Sequence, residues 1–336
     1  MQSVEARGGR RFVPGLRRDY LAPAAAVLVV LVIGAAFLGL RGHESSGSSA
    51  ASGAGARLVL TASGPDGRAP TTASLDRSIE ILRRRLAAEV PGARVSHAGD
   101  EVLVLLPHSA GAARARVLAL SAPGQLALYD WEADALTPNG RTVARQLGTQ
   151  NAAALRVSQG NGGAAPGSPG AGSLPPIPAR SLAAKARSRY RIGTVVLRAQ
   201  TVSRSPRAPA QFYVLLNHVA LSERDLAAPR QSTDPAGSPT VTFGFTSRGR
   251  RAFQHVTSSL ARRGASVSGL GQTLNQHFAI ALDGQLISVP SVDSRVYPDG
   301  IIGGGAGIDG GFTLQSARDL ATLLRFGPLG VRLTAR

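Results

Sequence analysis

The chain has 336 residues, enough for one or two domains that each bury a core of their own. Its formal net charge is +18, almost all of it from arginine, since Lys185 is the only lysine. The absence of cysteine excludes disulfides, thiolate catalysis and cysteine metal sites. An aromatic content of 4%, without zinc-finger, RNP-type or basic-zipper patterns, argues against nucleic acid as a partner.

In chain order, a basic tail over 1–20 carries Arg7, Arg10, Arg11, Arg17 and Arg18. Leu21 to Leu40 is a run of 20 residues without a charge. At 1.5 Å per residue it spans a hydrocarbon core of about 30 Å as a helix. The positive-inside rule then puts 1–20 in the cytoplasm and the bulk of the chain outside a cell membrane it crosses once. The run exceeds the usual length of a signal-peptide core, which favours an anchor over a cleaved signal. Residues 41–56 form a Ser/Gly/Ala tether.

Periodic structure starts at Arg57–Thr61, a short strand. Ser74 is placed to cap a helix whose Leu75, Ile79, Leu82 and Leu86 make one apolar stripe, with Arg83, Arg84 and Arg85 facing mostly to water. Strands follow at 94–98 and 101–106 around a Gly99-Asp100 turn, then a helix at 110–120 and a strand at 125–130. This β-α-β-β-α-β order predicts a ferredoxin-like unit over 57–131. Periodicity is lost over 132–190, a Gly/Pro-rich linker or insertion. A second α+β unit is expected over 191–336. It has strands at 194–197, 211–216 and 240–245, then a helix from Thr246 or Ser247 to Arg263 stopped by Gly264. A hairpin of 278–282 with 285–289 turns at Asp283-Gly284, a type I′ signal, and a last helix covers about 316–326. Residues 312–336 pack either on this second unit or back on the first. The fold class is α+β, with one N-terminal transmembrane helix.

Chemical motifs are sparse. No two of the six histidines are spaced i, i+4, and no HExxH, GxSxG or SxxK occurs. Gly305-x-Gly307-x-x-Gly310 fits GxGxxG formally, but no strong strand leads into it and the helix begins several residues later, so it reads as a flexible turn. Asp283 is a conspicuous carboxylate after an apolar strand, and the turn accounts for it. No catalytic residue, metal site or cofactor is assigned, and the chain reads as non-enzymatic.

FAIALDGQLISVPSV at 278–292 and DGIIGGGAGIDGGFTLQSARDLATLLRFGPLGVRL at 299–333 resemble the first extracytoplasmic domain of SecD, the accessory subunit of the bacterial protein-export channel. LDRSIEILRRRL at 75–86, VLVLLPH at 102–108 and VTFGFTSRGRRAFQHVT at 241–257 resemble further parts of it in the same order. Motif positions carried by the resemblance, expected to be structural, are Leu282, Asp283, Gly284, Ser288, Pro290, Gly300, Ile308, Gly310, Phe312 and Gly327. The resemblance implies a base and a head subdomain that contact unfolded secretory polypeptide emerging from the channel, with SecY, SecF and the lipid bilayer as partners. Phe212, Phe243 and Phe245 are candidates to line such a contact. The chain departs from the family in having one apolar span without an ionisable residue, where SecD has six, so proton-driven work would need a partner. A diverged SecD-type scaffold binding an envelope component is the alternative.

Overall fold

The computed structural model describes residues 30–32, 56–64, 67–107, 110–149, 177–178, 193–199, 211–268, 275–309 and 312–336. Of the expected membrane span only β1 (Val30–Val32) falls among them. It is extended and runs parallel to residues 307–309, in place of the helix expected there; the rest of 21–40, like the tail and most of the tether, lies outside the described residues. Among the described residues, no helix is long and apolar enough to cross a membrane.

The first unit contains β2 (Arg57–Ser63), α1 (Thr72–Glu89), β3 (Arg94–Ala98), β4 (Glu101–Leu105) and α2 (Ala110–Leu120). Thr71, not Ser74, caps α1, its side chain accepting from the Ser74 amide. Alternation along β2 and β4 turns Leu58, Leu60, Val102 and Val104 inward onto Leu75, Ile79, Leu82 and Leu86 of α1.

The chain continues through β5 (Leu126–Asp130), α3 (Trp131–Asp134), β6 (Ile177–Pro178), β7 (Thr194–Ala199), β8 (Gln211–Leu216) and β9 (Leu221–Ser222). It goes on through β10 (Leu226–Thr233), β11 (Pro239–Phe245), α4 (Ser247–Val267), β12 (Gln276–Leu282), β13 (Gln285–Ser288) and β14 (Ser291–Val292). β15 (Gly305–Asp309), α5 (Leu314–Phe326) and β16 (Arg332–Ala335) end it. Thr246 caps α4, which runs past Gly264 to Val267, so that glycine is buried within the helix instead of stopping it.

The first sheet has the order β16-β2-β4-β3, all antiparallel. This is the ferredoxin-like order, but its fourth strand is the C-terminal β16 and not 125–130 as expected. β5 instead pairs with β12 in a large middle sheet ordered β6-β8-β7-β13-β12-β5-β9. Its run Leu126, Ala127, Leu128, Tyr129 is buried throughout because both faces of that sheet are covered. Residues 132–149, expected to begin a linker, pack on one face together with Trp131, where Trp131, Ala135 and Val143 join a core with Leu197, Leu215 and Ala279. The other face meets α4, α5 and the third sheet (β1-β15-β11-β10) in the largest core.

The glycine-rich 305–309 is a strand of that third sheet, not a turn. A Cβ on Gly305 would lie 2.8 Å from the Phe243 carbonyl oxygen, so the close approach of β11 demands glycine there.

Candidate functional site

The chain leaves the ferredoxin-like base once, through 121–125 after α2, and returns once, through 327–331 after α5. Both crossings meet Arg85 of α1, whose residue is 0% exposed. Its Nη1 donates to the carbonyls of Leu120 (2.8 Å) and Ala122 (2.6 Å), and its Nη2 to those of Pro123 (2.9 Å) and Gly327 (2.6 Å). One cation thus satisfies four main-chain acceptors at the ends of two helices, where helix dipoles favour positive charge. Burial lowers its pKa to about 10, against the opposing field of Asp283, so it remains protonated at neutral pH. Reading Arg85 as facing water is therefore corrected. The signal was present, since position 85 falls three residues after Leu82 on the stripe 75, 78, 79, 82, 85, 86.

The surroundings are built to this arginine. Gly124 has φ +76°, and a Cβ there would sit 2.9 Å from Arg85 Nη2. The Leu329 amide donates to the Pro123 carbonyl (2.9 Å) and ties the two crossings directly. Gly330 donates to Ser78 Oγ (3.0 Å) and accepts from Ser74 Oγ (3.2 Å), which is what Ser74 does instead of capping. Beside this, Arg116 of α2 pairs with Glu89 of α1 and with Asp319 of α5 (3.4 Å), and Thr322 donates to Glu89 (2.8 Å).

The motif residues serve this frame. Asp283 (φ 53°) and Gly284 (φ 77°) form the expected left-handed turn between β12 and β13. Asp283 also docks on the crossing: its Oδ1 accepts from the Gln125 amide (2.7 Å) and its amide donates to the Gln125 carbonyl (2.9 Å). Burial raises its pKa, opposed by those bonds and by Arg85. Leu282, Ile308 and Phe312 are core residues. Gly300 seats the chain against α4, Gly327 offers its carbonyl to Arg85, and the Pro290 carbonyl accepts from the Phe278 amide (3.1 Å). Ser288 pairs with Ile280 across the hairpin, and Gly310 lies outside the described residues.

The candidate contact residues separate. Phe243 and Phe245 are buried, with Phe245 stacked on Phe253 at 4.9 Å between centroids, so they hold the core and offer no surface. They line an apolar void of about 10 Å³, the size of one water and too apolar to hold it. Only Phe212, on β8, is half-exposed.

A second polar group, missed in the sequence, is Asp130-Trp131-Glu132-Ala133-Asp134. Arg263 Nη2 donates to both Asp130 oxygens (2.6 Å each). The fully buried Glu132 accepts from the His277 amide (2.9 Å) and faces its Nδ1 (2.7 Å). Asp134 faces His218 Nδ1 (3.0 Å), and burial raises its pKa to about 6. The folded chain therefore binds this proton more tightly than the unfolded chain, and stability falls as pH rises from about 4 to about 6. Asp134→Asn is expected to flatten that part of a chemical-denaturation pH profile; an unchanged slope refutes the assignment. Among the described residues, no group of three or more His, Asp or Glu could hold a metal ion.

Residues 199–331 match the family model of the SecDF P1 head subdomain. The chain is similar to the protein translocase subunit SecD of Rhodobacter capsulatus, 36% identical over 123 residues, which is 36% of this chain and 19% of that protein. It is 33% identical over 108 residues to the same subunit of Streptomyces coelicolor, 32% of this chain and 17% of that protein. A crystal structure of SecDF in a super-membrane-facing form aligns over 83% of this chain and 29% of that one, with a TM-score of 0.49 and 24% identity. The aligned regions span about a fifth of the length of these curated relatives.

Proposed function

We propose that this chain, a SecD-type P1 domain over the residues matched, is a membrane-tethered, non-enzymatic accessory of Sec-dependent protein export. The observation that carries the reading is the match of residues 199–331 to the SecDF P1 head subdomain. The uncharged run 21–40 serves as the single-pass anchor. In a bilayer that run satisfies its backbone only as a helix, whatever main-chain pairing Val30–Val32 makes outside one. The rest of the chain stands outside the membrane and contacts unfolded secretory polypeptide near SecY and SecF. With no ionisable residue in that span, energy coupling comes from a partner. The net charge of +18 suits a position beside anionic headgroups.

The test is photocrosslinking in cells during active secretion, with the crosslinker at Phe212 or at Ile302, which is 65% exposed. Capture of SecY, SecF or secretory chains, lost when export is blocked, is expected. Capture of envelope components alone, unchanged by the block, overturns the export reading in favour of a SecD-type scaffold.

A further inference from the structure

The middle sheet ends differently on its two sides. One edge is β9, only two residues long and followed at once by a tight turn, which leaves little main chain to pair. The other is the short β6 laid on β8, Gln211–Leu216, whose six residues carry no charge or proline and are rich in aromatic and aliphatic side chains. A long uncharged edge strand of this kind recruits further strands unless it is covered. Its C-terminal half is closed from within: Ala135 pairs with Leu215, and the Leu136 amide donates to the Val214 carbonyl (2.8 Å). Among the described residues, the N-terminal half, from Gln211 to Tyr213, is met on this side by β6 alone, with Ile177 opposite Phe212 and Pro178 opposite Gln211 in antiparallel register.

β6 is a weak occupant. It is two residues long, and Pro178 has no amide hydrogen to give. The slot itself is firmly set. β8 is paired along its inner side with β7, and Tyr213 packs edge-on against the buried Trp131 at 5.2 Å between centroids. Half-exposed Phe212 stands at its mouth.

We infer that the 211–213 edge of β8 is a strand-addition site for an extended, uncharged segment of another polypeptide, and that Ile177–Pro178 occupies it as a displaceable internal strand. Main-chain hydrogen bonds would supply the affinity and make it tolerant of sequence. The inference rests on the export reading, and gives it a place on the molecule.

Because the chain contains no cysteine, Ile177→Cys with Phe212→Cys creates a unique pair at positions directly opposed across an antiparallel ladder, within disulfide reach. The full chain in detergent micelles would be titrated with a dye-labelled, carboxymethylated polypeptide that cannot fold. Oxidation is expected to weaken binding at least fivefold, and reduction to restore it. In a second measurement, a photocrosslinker on Gln211→Cys is expected to capture the same polypeptide. Equal binding by oxidised and reduced protein overturns the inference, as does failure of the disulfide to form, or self-association through this edge that excludes the polypeptide. If Gln211 captures nothing while Ile302 still does, the slot is wrong and the export reading stands. If no position captures polypeptide, both fall.

Discussion

Replacing Arg85 with leucine is expected to destabilise the fold by about 3–5 kcal/mol, the range for removing one partner of a buried charged network. Four carbonyls would lose the guanidinium at once; that of Pro123 keeps the Leu329 amide, and each buried acceptor left unpaired among the others costs about 1–3 kcal/mol, with entering water recovering part. For a body of this size, Tm should fall by roughly 10 °C. The effect should also be local: amide exchange should quicken over 121–125 and 327–331 before it does in the strands of either core. Arg85→Lys keeps the charge but offers three donors from a single atom instead of a planar fork, so it should recover only part of the loss. Circular dichroism melts and hydrogen exchange on the three proteins decide the matter; Arg85→Leu within 1 kcal/mol of wild type would remove Arg85 from its role as the link between base and head.

Gly300→Ala should be nearly as damaging, for a different reason. Gly300 has φ +83°, and a Cβ there would lie 2.5 Å from the Ser258 amide nitrogen and 2.7 Å from the Gln254 carbonyl oxygen, both in the backbone of α4. Neither can move without unwinding the helix, and Ile301 is bound beside it through its amide to Thr257 Oγ1 (2.9 Å). Gly140 supplies the control: it has φ +72° with nothing within 4 Å of a built Cβ. Gly140→Ala should cost only the left-handed backbone penalty of about 1–2 kcal/mol. Gly300→Ala should add an overpacking term of about 1–3 kcal/mol or more. Equal denaturation midpoints for the two variants would show that the contact with α4 is not tight.

Much of the local structure was legible from spacing. The α1 stripe, the Gly99-Asp100 and Asp283-Gly284 turns and the strands of the base follow from periods of 3.6 and 2 and from turn chemistry. Long-range pairing was not. β5 and β16 are both short strands, and adjacency in sequence favoured β5 as the fourth strand of the base. The burial pattern carries the distinction: four consecutive buried residues suit a strand covered on both faces, whereas the polar Arg332–Ala335 suits an edge. β15 was hidden for another reason. Its glycines answer to the approach of a neighbouring backbone, which leaves no trace in the strand's own periodicity. The buried carboxylates of 130–134 were obscured because their partners, Arg263, His277 and His218, lie far off in sequence.

The discontinuity of the base has a consequence for the order in which the chain can fold. Its fourth strand is 332–335, so during vectorial emergence the first three strands must wait, with the outer side of β2 bare, until the residues between them and β16 have passed. The part between the two crossings has its own strands, β5 to β15, available before that edge is closed. Arg85 is made early, but its fourth acceptor, Gly327, comes late. Maturation of the base is thereby timed by the arrival of residues 332–335, and the part between the crossings becomes a completed passenger within a scaffold that closes after it.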